Sequence, residues 1–437
     1  MKLRPDYSGP FDPDITLADF SREFLVRLGH EYLLIGHLLD RVGQPLVGME
    51  SGAAGFVRSG IEEWMGASPI YSKRMQRLMN FEGDDVGTVF KNLQLEVGSP
   101  QQFMDFQFRL DSPEYGEFWL CHCGALLDVE KSGSDHIVKL MCHDIEDPTF
   151  DATAAATNPR MVMRPIHRPP RIDGPGGNGA NRWPHCRWSV SIGEDNQPYE
   201  QHPNLAVVAA SKLASIPLRL PDRDAEPGGW GDYSGPFDPG CQLADFSHRA
   251  LVGLTQEFAV QALLLMHSYM VSQANHYGQD KAHELAERMW VGHAAVGVER
   301  LRHYLGVPGD DIEAIAKIIQ LHPHFQPRTY VDLRVAITGS RSARIEIVDC
   351  PALQEQTELT WFHRLDAGPP PALCALVQQV NPQARLRSTD AGEAKLAWEV
   401  EIAPSNDFAA EPEELAIARM SGGMTFRFEQ RRRLRGA

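Results

Sequence analysis

Positive charge is scarce in this chain: 42 Lys and Arg stand against 58 Asp and Glu in 437 residues, a formal net charge of −16. A protein that neutralises phosphates needs a basic surface, so this balance speaks against nucleic acid as a partner. The short basic tail at 429–437 reads as a solvated chain end. Long apolar runs are also missing from the sequence as read, with no stretch approaching the roughly 18 residues of a membrane span. The opening MKLRPDYSGP lacks the apolar core of a signal peptide. The expectation is a cytoplasmic protein without membrane contact. Seven cysteines, an odd number with one Cys-x-Cys pair, do not make a disulfide framework and fit a reducing compartment. No Ser-His-Asp signal, dinucleotide fingerprint or nucleotide loop is present. The Gly-rich stretch 173–183 has the wrong spacing for a phosphate cradle and reads as a surface loop.

What the chain does contain is a copy of itself. Residues 6–21, DYSGPFDPDITLADFS, return at 232–247 as DYSGPFDPGCQLADFS, thirteen of sixteen positions being identical at an offset of 226. The same offset carries Trp64 onto Trp290, Arg74 onto Arg300 and Gln94-Leu95 onto Gln320-Leu321. Two homologous domains follow, 1–220 and 232–437, joined by a Pro- and Gly-rich linker at 221–231. Copies joined this way are expected to pack as a pseudo-dimer, which could itself form a homo-oligomer.

Within each copy the residue period changes once. Phe20, Phe24, Leu25, Leu28, Tyr32 and Leu33 recur at helical spacing after the SGPFDP arm, and further helical patterns cover 55–65, 69–80 and 84–95. Copy two repeats them at 255–275, 279–306 and 310–321. The back halves alternate as half-buried strands do: 104–110 and 118–127 in copy one, 330–337 and 343–350 in copy two. A helix is expected over about 134–144, and each copy closes on Trp-x-Val-x-Ile, at 188–192 and 398–402. The expected class is α+β, a helical layer on an antiparallel sheet in each copy.

Chemistry is expected where the copies differ. Cys121, Cys123, Cys142 and Cys186 all lie in the back half of copy one, and only Cys350 has a clear counterpart to one of them, Cys123. Cys123, Cys142, His167 and Cys186 are spaced too widely for a zinc knuckle but suit ligands brought together from separate elements. Zinc is the first expectation and an iron–sulfur cluster the alternative. Copy two has Leu396 opposite Cys186 and a shortened segment where His167 stands, as a degenerate half would. Cys121, His122 and His143 are then candidate reacting groups. Arg164, Arg168 and Arg187, with Arg160 and Arg171, are placed to grip a small anionic molecule through a carboxylate, or else to lie on a solvated edge or pair with Asp144, Glu146, Asp147 and Asp151.

The SGPF-x-P and L-x-D-FS arm, Cys142, Asn158-Pro159-Arg160, Arg168-Pro169-Pro170 and Cys186-Arg187-Trp188 together resemble a bacterial family of L-2-amino-thiazoline-4-carboxylic acid hydrolase-like proteins. More distantly they are similar to the 4-vinyl reductase type of ligand-binding domain. The resemblance covers nearly all of copy one and implies cysteines at positions matching Cys123, Cys142 and Cys186, with a further cysteine where this chain has His167. The expected function is a metal-containing, hydrolase-like enzyme acting on a small carboxylated molecule. The alternatives are a non-catalytic small-molecule-binding or scaffold protein with a structural zinc, and an iron–sulfur redox protein.

Overall fold

The computed structural model describes residues 3–170, 183–365, 368–404 and 407–429. Arg171, most of the Gly-rich stretch and nearly all of the basic tail lie outside these. The chain is α+β with two four-stranded antiparallel sheets. In copy one the elements run α1 (Arg22–His37), α2 (Asp40–Leu78), α3 (Val86–Leu93), β1 (Met104–Ser112), β2 (Tyr115–Cys123), α4 (Gly124–Glu130), α5 (Asp135–Lys139), a π-helical turn (Leu140–Ile145), α6 (Glu146–Ala155), β3 (Met161–His167), β4 (Arg187–Ile192), α7 (Pro203–Ala209) and α8 (Lys212–Ser215). Copy two gives α9 (His248–Tyr277), α10 (Gln279–Tyr304), α11 (Ile312–Leu321), β5 (Leu333–Gly339), β6 (Ser342–Ile347), α12 (Pro371–Val380), β7 (Ala384–Ser388), β8 (Leu396–Ile402) and α13 (Glu413–Ala418). The strand orders are β1-β2-β4-β3 and β5-β6-β8-β7, so the second sheet repeats the first.

Repeated sequence makes repeated local structure. Ser21 caps α1 by accepting from the Phe24 amide, and Ser247 caps α9 from Ala250. Asp85 and Asp311 do the same for α3 and α11, through Thr88 and Ala314. Such caps contribute about 1 kcal/mol each. Gly52 and Gly278, again 226 apart, take positive φ of 67° and 80°, a conformation L-residues avoid, and each marks a helix junction. Trp188 and Trp398, from the two closing strands, are fully buried.

Several boundaries differ from the sequence reading. Helical structure continues through Pro69 because residues 53–78 pack along α9, and this tertiary contact outweighs the lost backbone bond. The strand expected at 118–127 stops at Cys123, whose thiol caps α4 by accepting from Leu126. α9 is long and apolar enough to cross a membrane by length and composition, against the expectation that no segment would be, but its apolar stretch is wholly buried in the core.

The contacts between copies come in reciprocal pairs. Arg74 grips Glu257 with two nitrogens, at 2.8 and 2.7 Å, and Arg300 grips Glu31 at 2.8 and 2.8 Å. Each arginine also donates to carbonyls of its own copy's closing segment: Ala214 and Ile216 for Arg74, Gly423 and Phe426 for Arg300. The arms cross over as well, Tyr7 donating to Gln320 at 2.6 Å and Tyr233 to Gln94 at 2.9 Å.

Candidate functional site

The expected metal ligands do not come together as a set. Cys123, Cys142 and Cys186 are buried within electrostatic reach of one another and of Glu146, whereas His167 is exposed at the end of β3. Among the described residues no group of three or more His, Cys, Asp or Glu side chains is arranged to hold a metal ion. As placed, these four residues do not fit zinc or an iron–sulfur cluster. Burial, reinforced by the charge of Glu146, pushes the Cys123 thiol up to about 12 and the other two well up. Thiols held this way are inert core groups.

The other expected groups are also engaged. His122 Nδ1 bonds the Phe103 carbonyl at 2.7 Å and His143 Nε2 the Pro169 carbonyl at 2.7 Å, while Cys121 is half-buried on β2. Arg164 bonds both oxygens of Asp151 at 2.8 and 2.9 Å, Arg168 pairs with Asp147, and Arg187 Nε meets Glu117 at 2.6 Å. Pairing with neighbouring acids, the other reading the sequence offered for the arginines, is what the structure contains.

A different site opens in the helical half of copy one. A cavity of about 260 Å³ lies between α1, α2 and α3 on one side and β1, α4 and α6 on the other, and Ile417, Met420 and Ser421 of copy two complete it. Its walls are apolar and aromatic, with Phe56, Trp64, Phe106 and Phe150 prominent, and Asp40, Gln44, Glu96, Asp128 and Glu146 are set among them. Two helix irregularities frame it. The α1–α2 chain breaks at Leu38-Leu39, where α9 runs on unbroken, and the π-helical turn brings Met141 and Ile145 to the wall. Helix irregularities of this kind often occur at functional sites.

The polar groups divide into those with partners and those without. Asp40 accepts from Trp64 Nε1 at 3.0 Å and from protonated Glu63, so the two carboxyls share one proton. Burial and the Asp40 charge raise Glu63 well above the usual carboxylate range. Gln44 Nε2 donates to the other Glu63 oxygen at 2.5 Å, which leaves Gln44 Oε1 with no donor. Glu96 is 5% exposed, its Oε2 has no partner, and burial alone raises its carboxyl to about 8. Burial also raises Glu146 to about 8 against the pull of Arg168.

At the mouth, Arg41 Nε holds Asp128 at 3.2 Å and its Nη2 donates to His37 Nε2 at 3.3 Å. His37 Nδ1 donates in turn to the Val97 carbonyl at 3.1 Å, and burial beside Arg41 pushes this imidazole down to about 3, so it is neutral. Burial alone would raise Asp128, yet Arg41, Ser421, the Gly422 amide and Lys131 together hold it below its ordinary value. Its bonds to Ser421 Oγ and Gly422 N pin the copy-two segment over the cavity.

The sequence carried a signal for this site that the cysteine pattern obscured. At the offset of 226, Asp40, Gln44, Glu63 and Glu96 stand opposite Met266, Met270, Met289 and His322, all four of them buried. In copy two the counterpart of Trp64, Trp290, is covered by Trp361 with ring centroids 5.8 Å apart. No family model, curated protein or solved structure matches this chain.

Proposed function

We propose that this protein binds a small molecule in the copy-one cavity, and that copy two is a scaffold that closes the site. The observation carrying this is the replacement of three buried polar groups of copy one, Gln44, Glu63 and Glu96, and half-buried Asp40 by three methionines and a histidine at the same positions of copy two. A buried carboxyl without a partner, as at Glu96, costs stability and specifies no core, a cost that a ligand would relieve. A largely apolar cavity with a few convergent polar groups is the usual form of a small-molecule site, although 260 Å³ falls just under the roughly 300–1,000 Å³ common for drug-sized ligands. We further read the two copies as a pseudo-dimer about an approximate twofold. The reciprocal Arg74–Glu257 and Arg300–Glu31 pairs and the crossed Tyr7 and Tyr233 arms support that reading.

Acid–base turnover of the bound molecule is a second reading, favoured by one observation. Glu96 faces the cavity without a partner and keeps its proton near neutral pH, as a general acid must. The test of binding is a thermal-shift screen of small molecules against the wild type and a Gln44→Met/Glu63→Met variant that carries the copy-two residues. The variant is expected to melt higher and lose every response that the wild type shows. Equal responses in the two proteins would place the binding elsewhere and overturn the proposal.

A further inference from the structure

Resting on the reading of this cavity as a ligand site, we propose that its ligand is an organic cation: a primary or secondary ammonium on a compact apolar, preferably aromatic, body. The argument is an inventory of what the cavity has left to offer. Its cationic side chain, Arg41, is spent on Asp128 and His37, and His37 spends its own N–H on the Val97 carbonyl. The amide nitrogen of Gln44 is spent on Glu63, and the indole N–H of Trp64 on Asp40. What remains unmatched is Gln44 Oε1, an acceptor, and Oε2 of Glu96, whose carboxyl becomes acceptor only once its proton is given up. A ligand that satisfies Gln44 Oε1 must donate, and an anion would meet four carboxyl groups, Asp40, Glu96, Asp128 and Glu146, with no unspent cationic side chain among the lining residues.

The walls select for charge of the same sign. Phe56, Trp64, Phe106 and Phe150 line the cavity, and aromatic rings pack apolar bodies and attract cations, so the body of an arylalkylamine packs among them while its ammonium reaches Glu96. On binding of the ammonium form, the Glu96 proton leaves to solvent and an ion pair replaces a neutral acid, so one proton is released for each ligand bound.

Isothermal titration of the full chain with three compounds of one shape tests this: 2-phenylethylamine, 2-phenylethanol and phenylacetate. The amine is expected to bind at least tenfold more tightly than the alcohol, and phenylacetate not to bind. Glu96→Gln should lower amine affinity about ten- to a hundredfold, as loss of a hydrogen bond to a charged group does, and leave the alcohol unchanged. Equal binding of all three compounds, or preference for phenylacetate, would overturn the cation assignment and leave the cavity standing as a site. Failure of all three to bind would overturn both readings. Zinc chloride alone stabilising the chain through Glu96 would replace the ammonium with a metal and also overturn the assignment.

Discussion

Glu96→Gln should stabilise the protein, by an amount that grows with pH. The Glu96 carboxyl is held at about 8 in the folded chain, against 4.5 in the unfolded one, by burial alone. Between those values the folded state binds the proton and the unfolded state does not, so stability falls as pH rises through this window. At about 1.4 kcal/mol per unit, the folded chain at pH 7 bears roughly 3 kcal/mol that a glutamine does not, and about 1 kcal/mol at pH 5. Both side chains leave a buried polar group without a partner, so that cost largely cancels in the comparison. Urea denaturation of wild type and variant at pH 5 and pH 7 measures the difference. The advantage of the variant should widen by about 2 kcal/mol between the two. A difference independent of pH would refute the reasoning, because it would mean that Glu96 ionises alike in both states.

Three other outcomes are expected. Arg300→Ala and Arg74→Ala should each cost about 3–5 kcal/mol, measured by denaturant unfolding, because each leaves a carboxylate buried without its partner; Glu31→Gln/Arg300→Met should cost much less. Burial depresses His293 to about 4 and His322 to about 3, so the folded state resists protons that the unfolded state takes up below about 6.5. Stability contributed by these groups is therefore lost as pH falls, and His293→Gln should gain about 2 kcal/mol on the wild type between pH 7 and pH 5. Iodoacetamide, followed by peptide mass spectrometry, should label half-buried Cys121 well before Cys123, Cys142 and Cys186, whose buried thiols stay protonated.

The repeat made much of the fold legible. The closing Trp-x-Val-x-Ile strands and the α+β class follow from local pattern, and the structure has them. Two kinds of boundary were not local. The helix at 69–80 joins its predecessor because packing on α9 outweighs Pro69, and the strand after 115 ends early because the Cys123 thiol caps a helix. The cavity proposed as the site was not legible at the residues the sequence singles out, which are the thiols, because their soft ligand chemistry is conspicuous in a sequence. Asp40 and Glu63 are 23 positions apart and meet only because α2 bends at Ser51-Gly52, between them, and no short spacing encodes that meeting. Their exchange for Met266 and Met289 was visible at the same offset, and a carboxyl opposite a buried methionine was the informative difference.

The central claim is that the copy-one cavity takes a small molecule against Glu96. A crystal structure of the chain soaked with 2-phenylethylamine tests it most directly. The account expects the aromatic ring among Phe56, Trp64, Phe106 and Phe150, with its nitrogen about 2.7–3.2 Å from a Glu96 oxygen and no ligand at the counterpart position in copy two. A cavity filled by its own side chains, or the amine bound elsewhere with this space unchanged, would contradict it.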